Sequence, residues 1–236
     1  MIIKKFLLVI VSYLTLIGQS VNALTFFETE KICPLDNTKF KTNEVASYSV
    51  FGKRLDLQPL GALVAPIPLP ICPNDHFVIY ADKFTKAETE YLQKYIYSDE
   101  YKKLVAEGHS SYFLLAKTFE YLKKDPLEIA HTYLQASWQV EENPKRYQEY
   151  AQNSLTYFKK FLELYHKKDD TWQTSQLVAG ELERRLKRFE ESQQRFLQLS
   201  QLPEMKVNSI TKIINYQLEL LKQLDSQPHE IPHDKR

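Results

Sequence analysis

Glycine is close to missing from this chain, with five in 236 residues. A polypeptide so short of glycine cannot readily build a phosphate-cradling loop, and it suits helices better than a turn-rich β fold. Cysteine is limited to two residues, too few for the four thiolates of a full zinc knuckle pair and too far apart for a Cys-x-x-Cys redox site. Neither charge is in surplus: Lys and Arg total 31 against 30 for Asp and Glu, so no basic field points to nucleic acid. The six histidines (His76, His109, His131, His166, His229 and His233) form no metal-binding pair on a helix. His131 lies on an apolar helical face and reads as a packed residue.

What is present begins with an export signal. Lys4 and Lys5 precede an apolar run from Phe6 to Ile17, and Val21-Asn-Ala23 offers the small residues that a signal peptidase needs. The run is short for a membrane span, although an uncleaved anchor is the competing reading. Cleavage before Leu24 predicts a periplasmic or secreted protein without stable membrane insertion, its formal charge moved from +1 to −1 by loss of the two lysines.

Residues 24–84 read as a small β or irregular module. Leu24–Lys31 is a lead-in, Phe40–Phe51 and Phe77–Tyr80 have strand-like content, and Ala65-Pro-Ile-Pro-Leu-Pro70 excludes helix between them. Residues 85–225 read as helical. Thr85-Lys-Ala-Glu88 is a capping box, and Asp125-Pro126 and Asn143-Pro144 each place a cap before a proline at the first helical position. Ser110 or Ser111 and Asp170 are further caps, Phe189–Leu199 is a helix, and Glu204–Leu224 is the last. Residues 226–236 carry two prolines and read as a flexible tail.

Small and large residues recur in the helical part at the spacing of a tetratricopeptide repeat of about 34 residues. Gly180, Leu186, Phe189, Ser192 and Phe196 fit that spacing, with Lys187 where a turn glycine is usual. Ala116, Phe119, Ala130, Leu134 and Ser137 fit more loosely, and an ordinary helical bundle would use the same core positions. The fold class is therefore mainly α: tetratricopeptide-like helices behind a small N-terminal β or irregular module.

Two Cys-Pro motifs, Cys33-Pro-Leu-Asp36 and Cys72-Pro-Asn-Asp75, precede Gly180-Glu-Leu-Glu-Arg-Arg-Leu-Lys-Arg-Phe-Glu-Glu191. With them the chain resembles, over roughly Lys31 to Leu202, the uncharacterised bacterial family called domain of unknown function 2225. The resemblance implies knuckles of a zinc ribbon, yet Asp36 and Asp75 stand where each second Cys would be. It implies no established activity.

Three states of the two cysteines follow. An oxidising compartment favours a Cys33–Cys72 disulfide; Cys33, Asp36, Cys72, Asp75 and His76 are the alternative zinc ligands; unpaired thiols are the third state. No other cofactor is expected.

Many tyrosines (Tyr91, Tyr95, Tyr112, Tyr133, Tyr147, Tyr150 and Tyr157) suit helix packing, or a ligand groove. Glu181–Glu191 mixes both charges as a solvated face does. The expected function is a non-enzymatic interaction protein or scaffold that holds a protein or peptide partner; the alternative is a metal- or thiol-dependent envelope enzyme using Cys33 and Cys72. Concave-face positions counted from Gly180 are Leu177, Glu181, Arg184 and Arg185; those counted from Leu115 are Phe113, Lys117, Glu120 and Tyr121. That set predicts an extended or helical partner segment with an acidic group.

Overall fold

The computed structural model describes residues 24–232, so the expected signal segment lies outside the described residues. The described residues open with two antiparallel hairpins. Strand β1 (Leu24–Ile32) pairs with β2 (Lys39–Tyr48), and β3 (Val50–Lys53) pairs with β4 (Pro59–Gly61). Leu24–Lys31 is thus a full strand rather than a lead-in, and the content read at Phe77–Tyr80 yields only a single bridge, Ile71 to Val78. The β1–β2 ribbon exposes Phe26 and Phe27, and Lys41–Glu28 and Lys31–Glu44 ion pairs link its two strands.

Among the described residues eight helices follow: α1 (Lys86–Ile96), α2 (Asp99–Ala106), α3 (Ser111–Tyr121), α4 (Pro126–Gln139), α5 (Pro144–Leu164), α6 (Asp170–Arg185), α7 (Phe189–Gln201) and α8 (Asn208–Lys222). The polar residues at their starts explain most boundaries. Thr85 and Glu88 form the capping box, and Asp125 and Asn143 accept N–H bonds just ahead of Pro126 and Pro144. At α6 the cap is Asp169, one residue before the expected Asp170, because its carboxylate accepts from both Thr171 and Trp172. The last helix is shorter than read: Pro203 starts a single 3-10 turn, and α8 begins at Asn208.

From α3 to α8 each helix packs on its neighbour in sequence, and α6 also touches α8. The core accordingly runs as three linked clusters. The first joins Cys33, Cys72 and Phe77 to α1–α5 through Leu92, Tyr101, Phe113 and Tyr150. The second lies among α4, α5 and α6, and the third joins Trp172, Phe196, Leu199 and Ile214. Where α6 crosses α7, Ser192 donates to the Gly180 carbonyl at 2.8 Å; where α4 crosses α5, Ser154 donates to the Ala130 carbonyl at 2.8 Å. Small residues at both crossings let the backbones approach. Lys187 ends the α6–α7 corner at φ 61°, occupying with a side chain the left-handed position that glycine takes more easily.

Of the expected flexible tail, residues 233–236 lie outside the described residues, and residues 226–232 are extended chain held to the fold. Residues after α8 fold back: Leu55 donates to the His229 carbonyl and Ile231 to the Lys53 carbonyl, both at 2.9 Å, and Glu230 bridges Arg54 in antiparallel fashion. Pro228 and Pro232 keep this stretch out of helix, which leaves it free to pair as extended chain.

Candidate functional site

The two Cys-Pro motifs fold into the same turn twice. In one, Cys33 N–H bonds the Thr38 carbonyl and Asn37 N–H bonds the Cys33 carbonyl; in the other, Cys72 bonds Phe77 and His76 bonds Cys72, all between 2.9 and 3.1 Å. Each turn reaches a left-handed residue, Asn37 at φ 63° and His76 at φ 58°. Asp36 and Asp75 then accept the N–H two residues on, from Thr38 and Phe77, both at 2.9 Å. The carboxylates therefore tie the knuckles internally. The Thr38 N–H and the Asn74 amide hold Asp36 below its ordinary value.

Between the turns Cys33 and Cys72 are joined by a disulfide with Cα atoms 5.6 Å apart, and both are fully buried. Bridged sulfurs offer neither thiolate ligands nor a nucleophile. Asp36, Asp75 and His76 instead line a pocket of about 240 Å³ against α1 and α2, in which Tyr97 donates to Asp75 and Tyr101 to the His76 carbonyl. No group of three or more metal-binding side chains occurs among the described residues. Opening the bridge with Cys33→Ser is expected to lower stability by about 2–4 kcal/mol. Denaturant unfolding checks this, and a loss below about 1 kcal/mol would show the turns to be self-sufficient.

The expected concave positions are the main correction. Arg184 and Glu181 are buried completely, and Arg185 nearly so. Arg184 makes a bidentate pair with Glu181 at 2.8 Å, bonds Gln217 of α8 at 2.9 Å, and donates to the main-chain carbonyls of Asp225 at 2.6 Å and Gln227 at 3.0 Å. Burial pushes the Glu181 carboxyl up against the pull of Arg184. Arg185 lies over the Tyr147 ring and bonds Glu141 at 2.7 Å. Arg54, from the β3–β4 turn, grips the same Glu141 with two bonds at 2.7 and 2.8 Å and pairs with buried Asp56 at 3.0 Å. Burial opposes the Glu141 charge, but the two guanidinium groups outweigh it and hold the group at about 2. The mixed charges of α6 are thus a buried seam between the N-terminal turn, the helices and the tail.

Of the second set only Phe113 is buried; Lys117, Glu120 and Tyr121 stay partly exposed on α3. Phe113 stacks between His109 and Tyr150 inside the core, and Tyr121 stacks on Tyr91 and Tyr95. Glu120 pairs with Lys117 and accepts from Tyr133, so these two charged groups serve a helix contact. His131 packs edge-on against Phe158, and burial lowers its titration.

Leu177 keeps a different position. It lines a groove of about 400 Å³ with Leu57, Ile210, Ile213 and Ile231, between α6, α8, the β3–β4 turn and the tail. Asp170, Gln173 and Thr174 continue the same face of α6. Leu57 is in the left-handed region at φ 68°, held there by bonds from its own N–H to the Arg54 carbonyl and from Gln58 to Asp56. A leucine retained in that conformation costs on the order of 1–2 kcal/mol, and such strain concentrates at binding sites. Sequence periodicity missed the groove because two of its walls, Leu55–Leu57 and Ile231, come from segments with no helical pattern.

No helix among the described residues is long and apolar enough to cross a membrane, and the disulfide is compatible with an extracytoplasmic protein. The family model described as "Uncharacterized protein conserved in bacteria (DUF2225)" matches residues 26–223. No curated protein and no solved structure matches the chain.

Proposed function

Since the chain belongs to the DUF2225 family, whose description carries no activity, we propose its function from the groove: an exported binding protein that holds an extended, aliphatic segment of a partner protein between α6 and α8. Export rests on the N-terminal signal and on the disulfide. The repeat reading is supported by the sequential packing of α3–α8 and by the Gly180–Ser192 crossing. No side chain in the groove carries an acid–base or nucleophilic constellation, whereas its aliphatic walls suit apolar anchors.

The observation that carries this reading is Ile231. An extended stretch of the chain itself already places an aliphatic side chain at the end of the groove, with its backbone fixed to Lys53. The partner segment would continue along Leu177, Ile210 and Ile213. Arg184 and Arg185, the cations expected to meet an acidic group on it, are engaged within the fold.

A charge placed in the groove tests the proposal. Ile210 is half-buried and packs against the third core cluster, so Ile210→Asp is expected to lower the melting temperature by about 3–6 °C with the fold retained. A partner recovered through a crosslinker at position 213 should yield a crosslinked peptide with an aliphatic, extended sequence. A synthetic copy of that peptide should bind the parent chain and lose at least about tenfold in affinity for Ile210→Asp. Unchanged affinity in a folded Ile210→Asp variant would place the binding surface elsewhere.

A further inference from the structure

We infer that the Lys53–Leu55 edge, together with Arg184, is a strand-receiving surface that the chain's own residues 225–232 occupy in the manner of a bound peptide, and that a partner's extended segment takes their place. This rests on the groove reading and deepens it by stating the backbone form of the partner.

The contacts that hold the tail are mostly made to its main chain. Leu55 N–H meets the His229 carbonyl and Ile231 N–H meets the Lys53 carbonyl, an antiparallel pairing centred on Arg54 and Glu230. Arg184 takes the carbonyls of Asp225 and Gln227. This is strand addition, in which backbone bonds supply affinity and a few side-chain pockets supply selectivity. Here the pocket is the aliphatic groove and the side chain is Ile231.

Three features make the tail removable. None of residues 225–232 is buried, so little apolar surface returns to water when it leaves. Arg184 keeps its bidentate bonds to Glu181 and its bond to Gln217 without the tail, and the bonds it loses, from Nη1 to Asp225 and from Nη2 to Gln227, pass to water or to the carbonyls of an incoming strand. The tail leaves α8 through Leu224, which is 65% exposed and sits at φ 52°, a left-handed turn that favours glycine. The remaining side-chain ties to the fold are Asp225 with Arg184 at 3.9 Å and His229 with Tyr216 at 3.1 Å, while His229 and Asp225 bond each other at 2.8 Å within the tail. A competing strand needs an extended backbone, carbonyls for Arg184 and one aliphatic residue at the place of Ile231. It needs little else in sequence.

The test uses the chain ending at Leu224 and a fluorescent peptide of residues 225–236. Saturable binding to the shortened chain is expected, and binding at least about tenfold weaker to the full chain, whose tethered tail competes at high effective concentration. A peptide carrying Ile231→Asp should lose the interaction. A folded shortened chain that ignores the peptide would overturn the inference.

Hydrogen exchange on the full chain reads the same point even where the shortened chain does not fold. The amides of Leu55 and Ile231 are expected to exchange at least about 100-fold faster than that of Leu182, through opening of the tail alone. Exchange of all three only by global unfolding would make the tail a permanent part of the fold and overturn the inference, while leaving the Ile210→Asp result free to stand.

Discussion

Arg54→Ala is expected to lower the stability of the folded chain by about 3–5 kcal/mol, among the largest effects of any surface-derived charge in the molecule. Arg54 is 7% exposed, and it supplies two bonds to Glu141 and one to Asp56. Removing it leaves Asp56, itself 1% exposed, with Arg185 at 3.8 Å as its nearest cation, and leaves Glu141 with a single guanidinium. The deleted attraction matters less than the stranded carboxylate, because an unpaired buried charge must be neutralised or hydrated. For a chain of this length the loss corresponds to roughly 10 °C in melting temperature.

Arg54→Lys should recover little, since one ammonium cannot reproduce the forked contact with Glu141. Replacing Arg54, Asp56, Glu141 and Arg185 together by apolar residues should be milder than Arg54→Ala alone, because it leaves no charge of the seam without its partner. Equal stability of Arg54→Ala and the parent in urea titration would mean that the seam is hydrated and contributes little. The seam also ties a turn in the first quarter of the chain to α6: Arg54 and Arg185 come from distant segments and share the carboxylate of Glu141.

Much of the fold was legible because local chemistry decided it. Thr85 with Glu88, and Asp125 and Asn143 each before proline, fix helix starts without help from the rest of the chain. Gly180, Ser192 and Phe196 were legible as a crossing because close helix packing needs a small residue opposite a large one. The disulfide was legible as one of three states, from compartment and cysteine count. The site was far less legible. The alternating Glu and Arg of α6 look like a solvated face to a counting argument, since periodicity records polarity and not partners. Outside α6 the partners of Arg184 and Arg185 are Glu141, Asp56, Gln217 and the tail carbonyls, separated from them by 33 residues or more, and that pairing is a property of the tertiary fold. The tail misled for a related reason: prolines exclude helix, but they also suit an extended segment that pairs with an edge.

Phe196→Ala is expected to cost about 3–5 kcal/mol, and its partner across the crossing decides whether the α6–α7 packing is understood. Phe196 is fully buried. A Cβ built on Gly180 would lie 2.5 Å from its Cζ and 2.7 Å from a Cε, closer than real carbon atoms approach. On an exposed helix Gly→Ala stabilises by about 1 kcal/mol. At Gly180 the sign should reverse, with a net loss of about 1–3 kcal/mol, because the ring has no free space into which to move. In the Phe196→Ala background the same Gly180→Ala change should become favourable by about 1 kcal/mol: the clash is gone, the methyl fills part of the cavity, and helix propensity is recovered. The strong coupling between the two positions is the signature of direct contact, and denaturant unfolding of the four chains measures it. If Gly180→Ala stabilises the parent chain, α6 and α7 cross at a greater distance than the Ser192 bond to the Gly180 carbonyl requires. The repeat register counted from Gly180, and with it the assignment of Leu177 to the inner face, would then fall.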